Sequence, residues 1–305
     1  MTAYAIKTEQ LSYAYGKGKQ VVHDLDLRVE KGKIYSFLGP NGAGKSTTIK
    51  LLLGLLQAKH GKIEIMALDS SGRLAINREI GVLVESPGLY EHLSGKRNLE
   101  IQADLRGVEK ARISEVLLQV GMKDAGRDKV KTYSTGMKQR LGLAAAMLQK
   151  PKLLILDEPT NGLDPRGIRE IRDLLIDMNR ALGITIFLST HLLSEAERVS
   201  HQVGIIQQGK LVFQGNKNEL QSLRSSARVV MVTTNNNEKA QSMLNKAYKI
   251  QSREDGYLLV NCETETEIAK IIRMLVEKGL EVYHASVVRE DLEEMFLNLT
   301  NNRKE

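Results

Sequence analysis

The apolar residues 25, 27 and 29 (Leu25, Leu27, Val29) alternate with charged neighbours. That period of two predicts a strand over Val21–Val29, which with a short strand over Ala5–Leu11 forms an antiparallel edge region. The next apolar run, Ile34–Leu38, is continuous; it enters a glycine-rich turn and then a helix predicted over Lys45–Leu56, ending near Gly61. From about residue 88 to 150 the spacing becomes helical. Ile113, Val116, Leu117 and Val120 share one face, and Leu141–Leu148 form a second apolar helix, so this stretch reads as a helical insertion. Leu153–Leu156 and Ile184–Ser189 are again continuous apolar runs, the pattern of strands buried on both faces of a parallel sheet, with the amphipathic helix Gly167–Arg180 between them.

After Leu220 the pattern changes. Strand Arg228–Thr234, helix Glu238–Lys246, strand Tyr248–Gln251, a turn at Asp255–Gly256, strand Tyr257–Val260, helix Glu265–Glu277 and strand Glu281–Val287 follow in βαββαβ order. That order predicts a small ferredoxin-like α+β domain, closed by a helix over Asp291–Leu299. The expected division is therefore residues 1–220 and 221–305.

Composition narrows the classes. With 42% hydrophobic residues in 305, the chain can bury a full core. Its longest dense apolar runs fall far short of the roughly 20 residues that cross a bilayer. The first ten residues show no export signal, and the single cysteine, Cys262, offers no intrachain disulfide, which fits a reducing cytoplasm. The net charge of +7 is scattered rather than blocked, and aromatic residues make up only 4% with no Trp. Nucleic acid is accordingly not expected as a partner.

Candidate chemistry begins at Gly39-Pro40-Asn41-Gly42-Ala43-Gly44-Lys45-Ser46-Thr47, which fits the phosphate-binding loop pattern and lies between a predicted strand and a predicted helix. Glycines let backbone N–H groups approach a phosphate, and the helix N-terminus adds partial positive charge. Lys45 would neutralise phosphate oxygens and the Ser46 hydroxyl would bind Mg²⁺. The strand Leu153–Leu156 runs into Asp157-Glu158-Pro159, placing two carboxylates at a strand's carboxyl end, where open α/β sheets bind ligands. Asp157 is expected to hold Mg²⁺ through its water shell. Glu158 is expected to orient or deprotonate the water that attacks the γ-phosphate of ATP.

Tyr133-Ser134-Thr135-Gly136-Met137-Lys138-Gln139-Arg140 resembles the signature segment of the ABC ATPase family, as a variant of the commoner Leu-Ser-Gly-Gly-Gln. Ser134 can cap the following helix and present its hydroxyl to a phosphate. The resemblance extends over roughly residues 1–220, and Asn161-Gly162-Leu163-Asp164 matches the family's D-loop. His191 matches its switch histidine, and Tyr15, or its neighbour Tyr13, the aromatic that stacks on adenine. It implies a P-loop NTPase core with an antiparallel edge subdomain. It also implies a dimer of identical or homologous chains in which Lys45 of one copy and Ser134 of the other face the same ATP, and separate membrane permease chains driven from the cytoplasmic face. Where the family usually has a glutamine contacting Mg²⁺ and the attacking water, this chain has Glu85. With Ser86–Tyr90 this is similar to ATPases of bacitracin- and lantibiotic-type peptide exporters, so export of an antimicrobial peptide or another hydrophobic compound is expected. Leu89, Tyr90 and Leu93 could form a groove for a permease helix or simply pack the helical insertion.

Two other classes compete. A soluble ABC-type ATPase acting on nucleic acid or the ribosome commonly carries two cassettes or a long coiled coil, and this sequence shows neither. A metabolic P-loop kinase is disfavoured by the signature segment.

Overall fold

The computed structural model describes residues 3–16, 18–69, 72–84, 87–222, 228–245, 247–253, 255–262 and 264–288. The chain divides into two compact units, Met1–Lys217 and Asn218–Glu305.

The first unit opens with an antiparallel layer. β1 (Tyr4–Ala14) pairs with β2 (Gln20–Leu25) along one part of its length and with β3 (Arg28–Glu30) along another. The strand expected over residues 21–29 is therefore broken at Asp26 and Leu27. Thr8 bridges the break: its hydroxyl donates to the Leu25 carbonyl at 2.6 Å and accepts the Leu27 N–H at 2.8 Å, so these two groups stay paired where the ladder is interrupted. β4 (Ile34–Leu38) then leads into α1 (Lys45–Leu52). α1 is shorter than expected, because Gly54 takes the left-handed conformation (φ 68°) that stops a helix, whereas Gly61 lies inside β5 (His60–Ile65). β5 pairs with β1 and with β6 (Leu68–Asp69).

After α2 (Arg73–Glu79) and β7 (Ile80–Leu83), the helical insertion comprises α3 (Gly95–Arg106), α4 (Ala111–Gln119) and α5 (Thr135–Ala146). The chain returns as β8 (Leu153–Asp157), α6 (Pro165–Leu182), β9 (Thr185–Thr190), α7 (Leu193–Val199), β10 (Gln202–Gln207) and β11 (Lys210–Asn216), and α8 (Lys217–Ser222) starts at the division between the two units. The central sheet has the order β11-β10-β4-β9-β8-β7, parallel throughout except for the β10–β11 hairpin at its edge.

The continuous apolar runs are explained by burial on both faces. On β8, Leu154 and Leu156 join the core shared with α3–α6, whereas Leu153 and Ile155 join the core shared with α1 and the antiparallel layer. Ile186 and Leu188 are likewise separated from Phe187 on β9. Each strand thus glues two layers, which brings the ends of β4, β8 and β9 together on one side of the sheet.

His201 closes the start of β4: its Nδ1 accepts the Ile34 N–H at 3.0 Å while its backbone N–H donates to the Ile34 carbonyl at 2.9 Å. Burial, with Lys33 and Arg180 nearby, holds the imidazole below its ordinary pKa of 6.5. The unfolded chain therefore binds this proton at a higher pH than the folded one. The contribution of His201 to stability is full above pH 6.5 and is lost as pH falls through the lower folded value. Urea midpoints should fall between pH 7 and pH 5 in the natural protein, and His201→Leu should flatten that part of the profile; an equal slope in both would exclude His201 as its source.

The second unit contains β12 (Arg228–Thr234), α9 (Asn237–Leu244), β13 (Ile250–Ser252), β14 (Leu258–Cys262), α10 (Glu265–Glu277) and β15 (Val282–Val288). Its sheet order is β13-β14-β12-β15, with antiparallel neighbours throughout. Val230, Val232, Leu258, Val260 and Cys262 form a core with Ala240, Leu244, Ile271 and Leu275. The helix expected over 291–299 lies outside the described residues. Among the described residues no helix is long and apolar enough to cross a membrane.

Candidate functional site

The loop between β4 and α1 is built on close approach. A Cβ at Gly39 would lie 2.5 Å from the Ile206 carbonyl oxygen, so only glycine lets the loop pass β10. Gly44, the residue before α1, takes φ 107°, a left-handed conformation open to glycine. Lys45 begins α1, and its side chain is only 5% exposed. Its Nζ donates to the Gly39 carbonyl at 2.7 Å and the Pro40 carbonyl at 3.3 Å, and lies 3.1 Å from Glu158 Oε1. The ammonium is thus folded back over the loop.

Asp157 ends β8 and is nearly fully buried. Across the sheet Ser189 of β9 stands in register with it, and the Ser189 hydroxyl donates to Asp157 Oδ1 at 2.5 Å while accepting the Glu158 N–H at 2.9 Å. Glu158 has φ 49°, left-handed backbone that costs a residue with a side chain about 1–3 kcal/mol. The bend turns its carboxylate toward two partners: Oε1 meets Lys45, and Oε2 lies 2.6 Å from His191 Nδ1. Because an ionised carboxylate only accepts, Nδ1 carries the proton in this contact. The sequence signal for Ser189 is a hydroxyl two residues before His191, directly after the apolar run Ile186–Leu188.

Asn41, Ser46, Asp157, Glu158 and His191 line one cavity of about 750 Å³ together with Thr135, Lys138 and Gln139 of α5. At its rim Lys138 and the exposed Glu91 are 2.5 Å apart, and the hydrogen bond and charge of Lys138 hold the Glu91 carboxyl below the usual carboxylate range. Leu89 lines this cavity too; it also packs against the helical insertion and lines a smaller groove with Leu83, Leu99 and Arg106.

Ser134 and Gly136 line a different cavity, of about 510 Å³, shared with Gly162, Asp164 and Arg166. Ser134 caps α5 by accepting the Met137 N–H at 3.3 Å, and Asp164 caps α6 by accepting the Gly167 N–H at 2.7 Å. Tyr15 is 49% exposed and its hydroxyl lies 3.4 Å from Thr47 Oγ1, while Tyr13 packs edge-on against it at 5.0 Å. Of the two tyrosines, Tyr15 is therefore the one that reaches α1. Glu85 lies outside the described residues.

A family model described as ABC transporter matches residues 22–161. The chain is 40% identical to the bacitracin transport ATP-binding protein BcrA of Bacillus licheniformis, over 96% of both proteins. It is 41% identical to the lantibiotic transport ATP-binding protein SrtF of Streptococcus pyogenes, over 68% of this chain and 90% of that protein. Among solved structures, cbiO1 from Clostridium perfringens, part of the ABC transporter complex cbiONQ, superposes with a TM-score of 0.68 at 29% identity, covering 72% of this chain and 92% of that one. With its phosphate loop, paired strand-end carboxylates and histidine gathered at one end of the parallel sheet, this chain belongs to the ABC transporter family, as an ATP-binding and ATP-hydrolysing subunit.

Proposed function

We propose that the chain works in pairs, with an identical or homologous partner, at the cytoplasmic face of the membrane, where it drives separate permease chains that export an antimicrobial peptide or a related hydrophobic compound. The observation that supports pairing is the distribution of the site over two cavities. Lys45, Ser46, Asp157, Glu158 and His191 belong to one group, whereas Ser134, Gly136 and Asp164 line the other. One chain therefore holds two complementary halves rather than one closed site. The similarity to a bacitracin transport protein along almost the whole chain supports the class of cargo.

In this reading Gly39–Thr47 wraps the phosphates with backbone N–H groups, and Tyr15 offers its exposed ring to adenine. A phosphate oxygen presented to Lys45 competes with Glu158 Oε1 and frees that oxygen to take a proton from water. His191 stays bonded to Oε2 and keeps the carboxylate aimed. Among the described residues no cluster of three or more His, Cys, Asp or Glu gathers. The Ser46 hydroxyl and the Asp157 carboxylate do line the same cavity. That sparse oxygen set fits Mg²⁺, which takes most of its ligands from phosphate and water and would neutralise charge developing on the phosphates. Glu85 remains the proposed further ligand from the segment after β7. For the second unit, the order β13-β14-β12-β15 supports a ferredoxin-like accessory domain.

Pairing is tested with a chain that binds ATP without consuming it. Glu158→Gln incubated with ATP should elute as a dimer in size exclusion, and adding Ser134→Arg should return it to the single chain, since the arginine enters the half-site offered to the partner's nucleotide. Equal dimerisation with and without Ser134→Arg would refute the composite site.

A further inference from the structure

The loop from Pro159 to Asp164 is gripped from two sides. Gln139 of α5 donates its Nε2 to the Pro159 carbonyl at 2.7 Å in a buried contact. From the other side, the Thr160 hydroxyl donates to Glu195 Oε2 of α7 at 2.7 Å. α5 is the helix capped by Ser134, and α7 begins two residues after His191. The two bonds therefore join the signature segment, the loop after Glu158 and the helix behind the switch histidine.

Glu195 is an expensive way to make such a bond. Its second oxygen, Oε1, is buried with no hydrogen-bond partner; among the described residues only Arg112 Nε shares that condition. A carboxylate with one oxygen shut away from water and unpaired is poor packing, and a neutral side chain would serve the helix better. Such a group calls for a reason beyond stability. Glu195 also lies in the first turn of α7, where its charge suits the helix dipole, but that benefit needs neither burial nor Thr160.

We propose that Thr160 and Glu195 are positioning residues for hydrolysis. Their bond fixes the loop that runs on to Gly162, Leu163 and Asp164, which line the half-site offered to the partner, relative to the helix that follows His191 in the chain's own half-site. Movement at one half-site is thereby passed to the other within one chain. The role in communication rests on the paired reading above; the role in holding His191 and Glu158 in register does not.

The test uses the full chain. Thr160→Val keeps the shape and removes the donor, and should lower kcat about tenfold or more while ATP affinity stays within about twofold. Its melting temperature should stay within about 2 °C of the natural protein. Thr160→Ser should restore turnover. Glu195→Leu should match Thr160→Val, Glu195→Gln, which keeps an acceptor, should stay within about threefold of natural turnover, and the double Thr160→Val/Glu195→Leu should be no slower than either single variant. Turnover of Thr160→Val within about twofold of natural, or a loss that follows melting temperature instead of the hydroxyl, overturns the proposal. Failure of pairing would be visible separately, as Glu158→Gln remaining a single chain with ATP, and would remove the communication role while the contrast between valine and serine still decides the positioning role.

Discussion

Glu158→Gln should hydrolyse ATP about 10²–10⁴-fold more slowly than the natural chain, the range lost when a positioned general base is removed. The amide keeps the size of the carboxylate and can still accept from His191 Nδ1 through its oxygen, so the site is not expected to collapse. What disappears is the negative charge that draws a proton from water. Binding should change little, because Glu158 touches Lys45 and His191 and is not part of the Gly39–Thr47 loop proposed to wrap the phosphates. Phosphate release at saturating ATP, measured beside equilibrium binding of a fluorescent nucleotide, separates the two effects. A variant that turns over within about fivefold of natural would remove Glu158 from the chemistry.

Lys45→Ala should fail earlier, at binding. Its ammonium is almost completely enclosed by the Gly39 and Pro40 carbonyls and Glu158, the place where a phosphate oxygen would meet it. A hydrogen bond to a charged group contributes about 1.5–3 kcal/mol, or roughly 10–100-fold in affinity. The loss should exceed a single bond, because Glu158 would then face a polyanion without the cation it pairs with. Affinity is expected to drop by about 10²-fold or more, with turnover at ordinary ATP concentrations falling in step. Retention of natural affinity would mean that the loop holds phosphate without its lysine. The two variants thus separate holding ATP from cleaving it, although their side chains are 3.1 Å apart.

Much of the site could be read in advance because its parts are local. Gly39 to Thr47 is a single turn whose backbone needs glycine at fixed places, and Asp157 and Glu158 are adjacent at the end of a strand that can only be a buried one. Short loops carry their geometry in neighbouring residues, so type and spacing are enough. The second unit was legible for the same reason: alternating strands and amphipathic helices in βαββαβ order leave few ways to form one sheet. The hairpin β10–β11 is not legible in the sequence, because Val203–Ile206 is an apolar run that periodicity alone does not assign to a strand. The single strand expected over 21–29 was mistaken because its interruption is stabilised by Thr8, a residue from another strand.

The sequence by itself determined which chemical groups the protein carries and in what order: a phosphate loop, a capping serine before a glycine, two acids, a histidine. Only the tertiary structure decided their neighbours. The parallel pairing of β8 with β9 sets Ser189 against Asp157 and Glu158, and the packing of α5 and α7 sets Gln139 and Glu195 on the loop between them. It also placed Ser134, Gly136 and Asp164 in a different cavity from Ser46, Asp157, Glu158 and His191. The physical reason is range: a turn is fixed by the torsions of a few consecutive residues, whereas a contact across 30 positions depends on which strand lies beside which, and that is settled by burying both faces of the whole sheet.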